Sequence, residues 1–381
     1  MSINNQRYIY IRALRNVDYT VFCVADGQKT YYDPRFNRTQ PYSSGQQVKR
    51  SIIDTLCSSL NLSLAPIDFI WYKEKDKNRI KFKEAEALSS ADPAFPDQLL
   101  GGYMRAGKKA DKVSAKEDEE KKQENSFVVK RRSPLSISAM RPLHPLLAGL
   151  SEENISFDRS NTPTSKVIIR DGKEGNIMKE EEVRELLENF DGPVPKKRKY
   201  IQGQRRATGL YTVDVCIDLE RLFSVNLDPV EPEVYENTAK ELENKGWKRG
   251  KNSYGPCLVC PAAEREKLIP AIANAVINWR ISSNQARTFG LMETLAVAIS
   301  PNAQYVAGAI RARLQDQEDS DRPQAIPVLD KKAKAELFVA LPAEGYIMGD
   351  IGADADALAM AENRIIEMLR SYDYDAQTTV Q

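Results

Sequence analysis

The sequence predicts an α+β domain interrupted by a long basic insertion. Three observations carry this. β-rich runs and one amphipathic helix open the chain, residues 105–206 lack long periodic elements, and alternating strands and apolar-striped helices resume at Gly209. With 381 residues the chain is long enough to bury a full core.

Tyr8-Ile-Tyr-Ile-Arg12 and Tyr19-Thr-Val-Phe-Cys-Val24 are rich in β-branched and aromatic residues, and read as two strands or one long bent strand. Ser44 and Gln47 have the spacing of a capping box. The helix they begin carries Val48, Ile52, Ile53, Leu56 and Leu60 as one stripe. Asp68–Tyr72 reads as a strand. Residues 105–124 hold Lys, Glu, Asp and Ala with Val113 as the one large apolar residue, which predicts an exposed flexible loop. A helix is expected at Lys179–Phe190 and an alternating strand at Gly209–Ile217. Further helices are expected at Pro232–Lys245, Ala262–Trp279, Lys331–Leu341 and Asp354–Leu369, and strands at Ala296–Ile299 and Tyr305–Ile310. No repeat is present.

Composition narrows the chemistry. No apolar run is long enough to span a bilayer and the polar start has no leader pattern, so a cytoplasmic protein without membrane contact is expected. Five scattered cysteines do not make a disulfide framework. Cys257-Leu-Val-Cys260 lacks a second ligand pair and reads as a small apolar strand, so no metal is expected. His144 is the single histidine, in the apolar, proline-marked Arg141–Leu146, and reads as structural. No phosphate loop, dinucleotide fingerprint, nucleophile elbow or metal-binding helix motif occurs, so neither a cofactor nor catalysis is expected.

Net charge is +1, but it is unevenly spread. Between Asp191 and Arg206, Lys196, Lys197, Arg198, Lys199, Arg205 and Arg206 face one acid. From Asp350 to Asp375 seven acids face Arg364 and Arg370. Such polarity suits a surface that holds polyanions and a chain that meets its own copies.

Three segments are candidate contacts for a nucleic-acid backbone. Lys49 and Arg50 occupy the first turn of the Ser44 helix, where the backbone N–H groups already make the end positive. A phosphate there would meet Ser44, Gln46, Lys49 and Arg50 together, with Lys49 reaching off the helix end; a snorkelling lysine and a solvated arginine are the plain alternative. Ser282–Arg287 offers small residues with Asn284, Gln285 and Arg287 as donors, or a helix cap. Lys130-Arg131-Arg132-Ser133-Pro134-Leu135-Ser136, with the 195–206 cluster including Lys197, Arg198, Arg205 and Arg206, interleaves cations with serines, Tyr200 and Phe157, as a bound RNA strand requires.

Asn37-Arg38 through Ser43-Ser44-Gly45-Gln46-Gln47-Val48-Lys49-Arg50, the Arg131–Ser136 segment and the Asn284–Arg287 turn resemble the backbone subunit of CRISPR surveillance complexes, the Cas-seven family of the RAMP superfamily. The resemblance implies an RRM-like palm of antiparallel sheet and helices from residues 1–104 and 207–381, with 105–206 inserted as a thumb and web. It implies several copies stacked head to tail along one guide CRISPR RNA, gripping its sugar-phosphate backbone, Arg38 included. The bases are then free to pair with a target nucleic acid, beside other effector-complex subunits. No glycine-rich RAMP loop is present, which argues against a processing nuclease. Some relatives cut target RNA with an aspartate after the first strand; Asp33 lies in that stretch, and a turn aspartate before Pro34 is the simpler reading. A metal-dependent ribonuclease and a stand-alone RNA-binding module are the rival functions.

Overall fold

The structure, a computed structural model, describes residues 6–22, 27–76, 79–105, 128–172, 175–281, 289–315, 323–349 and 351–379. The chain divides into two units, Met1–Gly149 with Ala207–Gln381, and Leu150–Arg206.

β1 (Tyr8–Thr20) is followed by a hairpin of β2 (Thr30–Asp33) and β3 (Arg38–Pro41), then α1 (Gly45–Ser59). A second hairpin, β4 (Ile67–Asp76) with β5 (Arg79–Ser89), leads through α2 (Pro96–Gly101) to β6 (Tyr103–Arg105), which pairs with β7 (Val129–Arg131). Next come β8 (Leu135–Ile137), β9 (Arg141–Pro142), β10 (Ala148–Asp158), α3 (Glu180–Glu188) and the 21-residue β11 (Arg198–Asp218). The one-turn α4 (Leu219–Leu222) precedes β12 (Ser224–Asn226), α5 (Glu236–Asn244), β13 (Lys248–Asn252) and β14 (Gly255–Val259). The rest comprises α6 (Ala262–Asn278), β15 (Thr294–Ser300), α7 (Ala303–Ala309), a hairpin of β16 (Ile310–Gln315) and β17 (Gln324–Leu329), β18 (Glu336–Val339), α8 (Ala357–Arg370) and α9 (Ala376–Thr379).

The main sheet of the first unit runs β11-β1-β15-β18, with antiparallel neighbours throughout, and β8 and β9 also pair with β11. Since β11 and β15 both oppose β1, they are parallel to each other with β1 between them and α6 between them in sequence, a split βαβ arrangement. The two-residue period of β1 sends Ile9, Ile11 and Ala13 to one face, beside Val213, Val215, Ile217, Val297 and Ile299. This face is covered by Val48, Ile52 and Leu56 of α1, Ile272 and Val276 of α6, and Ile365 and Leu369 of α8. Each such side chain contributes about 1.5–3 kcal/mol by leaving water. On the opposite face Leu14, Ala296 and Ala298 pack beneath Val306 and Ala309 of α7. Tyr10 and Arg12 stay half-exposed there.

The second unit contains the outer parts of β10 and β11, with α3 between them in sequence. Its helix buries no residue, and Phe157 and Tyr200 are exposed.

β1 contains the first N-terminal run and, after a register shift between Val17 and Thr20 with Tyr19 at φ 43°, only Tyr19 and Thr20 of the second; Val21 and Phe22 follow the strand, and Cys23 and Val24 lie outside the described residues. Two expectations fail outright. Tyr305–Ala309 lies in α7 and only Ile310 begins a strand, β16, because Asn302 accepts from Gln304 N–H at 2.9 Å and starts a helix there. Lys331–Leu341 is a 3-10 turn and then β18: Lys334 takes a left-handed conformation (φ 61°) that ends the Lys- and Ala-rich stretch, and Glu336–Val339, with the strand-favouring Phe338 and Val339, completes the edge beside β15. The loop expected at 105–124 lies, after Arg105, outside the described residues. Cys257 and Cys260 are buried beside β13, and burial pushes their thiols up to about 11 and about 12. No described helix is long and apolar enough to cross a membrane.

Candidate nucleic-acid interface

Ser44 caps α1 by accepting from Gln47 N–H at 3.4 Å. The turn is held against the segment after β8: Ser43 and Met140 exchange backbone hydrogen bonds at 3.0 Å, and a Cβ on Gly45 would lie 2.8 Å from the Ile137 carbonyl oxygen. The first and third predicted segments, some ninety residues apart in sequence, therefore adjoin. Gln46 is exposed at the helix start.

Lys49 does not reach off the end of its own helix as expected. Its Nζ donates to the Gly101 carbonyl at 3.2 Å, closing the C-terminus of α2, and burial lowers its pKa. A carbonyl at a helix C-terminus is the better partner for a half-buried ammonium than the positive end of α1. Arg50 is exposed and pairs with Asp54 one turn on, at 2.9 Å.

Arg131 also departs from expectation. It is buried, with its guanidinium bound to Glu233 at 2.7 Å and to the carbonyls of Leu99, Ser224 and Arg221 at 2.8, 2.8 and 3.1 Å. Four of its five N–H donors are thus taken inside the fold, and the side chain is buried away from any phosphate. Arg132, one residue on, faces solvent. Ser133 donates to Leu100 and Leu135 carbonyls, which fixes this segment beside the end of α2.

The uncovered part of the sheet's second face forms a polar cleft of about 340 Å³ lined by Arg12, Asp33, Arg35, Arg141, His144 and Asp214. Arg12 forks onto Asp214 at 2.6 and 2.8 Å and donates to the Ile310 carbonyl at 3.1 Å; Asp214 raises its pKa, so it stays charged. Gln40 ties the β2–β3 hairpin to this wall by donating to the Pro145 carbonyl at 2.9 Å. Arg38, at the start of β3, is exposed. Among the described residues Arg38, Arg132 and Arg141 make no ion pair.

Asp33 closes the turn between β2 and β3. Its carboxylate accepts from Arg35 and Phe36 N–H at 2.9 and 3.3 Å and from the Arg35 guanidinium at 3.2 Å, and the Arg35 bond lowers its pKa. These bonds are those of a turn aspartate.

His144 Nδ1 accepts from Leu146 N–H at 3.1 Å, and its ring meets the edge of Phe36 at 4.7 Å. Burial, then repulsion by Arg35, lowers its pKa below the ordinary 6.5. The folded protein therefore binds fewer protons than the unfolded chain just below pH 6.5, and stability drops as the pH falls through that window. His144→Asn, which keeps an acceptor but cannot titrate, should show a smaller loss of urea midpoint between about pH 7 and pH 5. An equal loss would assign the acid sensitivity to other groups.

In the second unit Arg206 is buried and pairs with Glu153 at 2.8 Å, so it stabilises the strand pair rather than facing a ligand. Arg205 lies 3.6 Å from Glu152. Lys197 Nζ is 3.5 Å from the Thr162 carbonyl, and the Arg198 guanidinium sits 5.4 Å over the exposed Tyr200 ring. Asn284, Gln285 and Arg287 lie outside the described residues.

Sequence reasoning missed Arg12, Arg35 and Arg141. The signal for Arg12 was available: in Tyr8-Ile-Tyr-Ile-Arg12 the period of two places Tyr8, Tyr10 and Arg12 together, opposite the isoleucines. The Tyr8 and Tyr10 rings lie 6.0 Å apart. The acidic C-terminal stretch is partly used internally, with Asp375 forked onto Arg265 at 2.7 and 3.0 Å and Glu362 accepting from Asn278 at 2.5 Å.

No family model matches the chain, and no curated protein does. Among solved structures the chain is similar to a chain of "CRISPR RNA-guided surveillance complex, pre-nicking", at 12% identity over 95% of this chain and 88% of that one, with a TM-score of 0.40. It is also similar to a chain of "CRISPR RNA-guided surveillance complex", at 14% identity over 95% and 84%, with a TM-score of 0.33. Likeness of this degree assigns no function by itself.

Proposed function

We propose that this protein is a non-catalytic, multi-copy backbone subunit of a CRISPR effector complex, which holds guide RNA by its sugar-phosphate chain and leaves the bases free to pair with a target. The sheet and helices of the first unit serve as an RRM-like palm and the inserted 105–206 region, which contains the 150–206 unit, as thumb and web, with copies stacked head to tail beside other subunits. One observation carries the reading. Arg141 lines the polar cleft, Arg38 stands opposite the cleft residue Asp33 in the β2–β3 ladder, and Arg132 follows the buried Arg131; all three are exposed and without an ion pair among the described residues, so phosphate oxygens can serve as their partners. Gln46 and Arg50 are exposed in the first turns of α1. The Asp33 carboxylate, held by its turn, gives no support to the ribonuclease alternative.

The test is RNA binding across a salt series. An Arg38→Ala/Arg132→Ala/Arg141→Ala variant should bind every RNA sequence more weakly. The slope of log affinity against log salt should flatten by about two units, near 0.7 for each phosphate of a single strand that is no longer neutralised. Weakening confined to particular sequences, or an unchanged slope, would refute backbone holding at this surface.

A further inference from the structure

The β4–β5 hairpin presents a surface that the guide-holding reading leaves unused. Alternation along β4 sends Ile67, Phe69, Trp71, Lys73 and Lys75 to one side. The ladder sets Trp71 opposite Glu84, Lys73 opposite Phe82 and Lys75 opposite Ile80. Residues directly opposite one another share a face. The register shift between Ile70 and Trp71 leaves Ala85 without a ladder partner, and this one extra residue brings Phe82 and Ile80 onto the face of Phe69 and Trp71. Phe69 is 66% exposed, Trp71 54%, Ile80 54% and Phe82 69%.

A contiguous apolar face of this kind marks a binding surface. Its composition selects the occupant. The cores of protein interfaces are depleted in lysine, yet Lys73 and Lys75 stand within this row, exposed and without an ion pair among the described residues. Rings interleaved with cations are what an unpaired nucleic-acid strand requires, because every base has a face to stack and every phosphate a charge to meet. We propose that this face is a stacking platform for an unpaired nucleic-acid strand, with Phe69, Trp71 and Phe82 taking bases and Lys73 and Lys75 taking phosphates. The site is independent of the guide-holding surface and would contact a second strand, or an unpaired stretch of the first.

Intrinsic fluorescence reports on it, since Trp71 is exposed whereas Trp247 and Trp279 are 6% and 0% exposed. The full chain is titrated with single-stranded oligo-dT, with oligo-U and with a duplex of equal length. Both single strands should quench Trp71 and the duplex should not; the tighter of the two identifies the preferred sugar. A Phe69→Ser/Phe82→Ser variant, changed only at exposed positions, should need at least tenfold more single strand to quench Trp71. The Arg38→Ala/Arg132→Ala/Arg141→Ala variant should keep its Trp71 quenching, so failure of the guide-holding reading leaves this result standing. Two outcomes would overturn the platform. One is quenching that the double substitution leaves unchanged. The other is an absence of quenching in a protein that sediments as an oligomer and becomes monomeric in the Phe69→Ser/Phe82→Ser variant, which would assign the face to a second copy of the chain.

Discussion

Arg131→Ala should lower the free energy of unfolding by about 3–5 kcal/mol, the range for breaking a buried ion pair from one side. The change removes a guanidinium bound to Glu233 and to three carbonyls from separate parts of the first unit. Glu233 is itself buried and, among the described residues, would keep Arg221, at 3.9 Å, as its ion-pair partner. Joint replacement by apolar residues of similar volume should be far milder, because no orphaned charge remains. Denaturant unfolding of the single and double variants measures both. The alternative is equally readable: a variant with unchanged stability that no longer retains RNA would make Arg131 a phosphate ligand instead of a core tie.

Gly209→Ala should cost about 3 kcal/mol or more, combining backbone strain with overpacking. Gly209 has φ of +120°, which side chains rarely adopt, and a Cβ there would lie 2.2 Å from the Leu147 carbonyl oxygen and 2.5 Å from the Ala148 Cα. Neither neighbour is a flexible side-chain end. Relief requires the strand to part from residues 147–148, breaking the bond from Leu210 N–H to Leu147 carbonyl, 2.9 Å long. A lowered melting temperature with faster hydrogen exchange at Leu210 is the expected result. Unchanged exchange would mean that the loop carrying Leu147 yields at no cost.

What could be read in advance followed the physics of local pattern. The α1 stripe, the alternation of β11 and the apolar run of α6 each have a period that survives any tertiary context, and each is present in the fold. The swapped identities of α7 and β18 show the limit. A capping Asn302 in one case and an open sheet edge in the other decided the outcome, and the edge exists only once β15 is in place. The site divided in the same way. Arg38, Gln46, Arg50 and Arg132 are exposed, as a ligand contact would need, whereas Lys49, Arg131 and Arg206 met partners many residues away. A cation next to serines looks alike in sequence whether it awaits a phosphate or ties a core. Only the long-range position of Gly101, Glu233 or Glu153 separates the two, and no periodicity encodes that.

Cys57, Cys257 and Cys260 lie sealed within the core, with thiols too weakly acidic to ionise near neutrality. A maleimide or a mild oxidant can attack them only when the interior opens. The rate of their modification thus times the opening of this core in the native molecule, without an engineered reporter site.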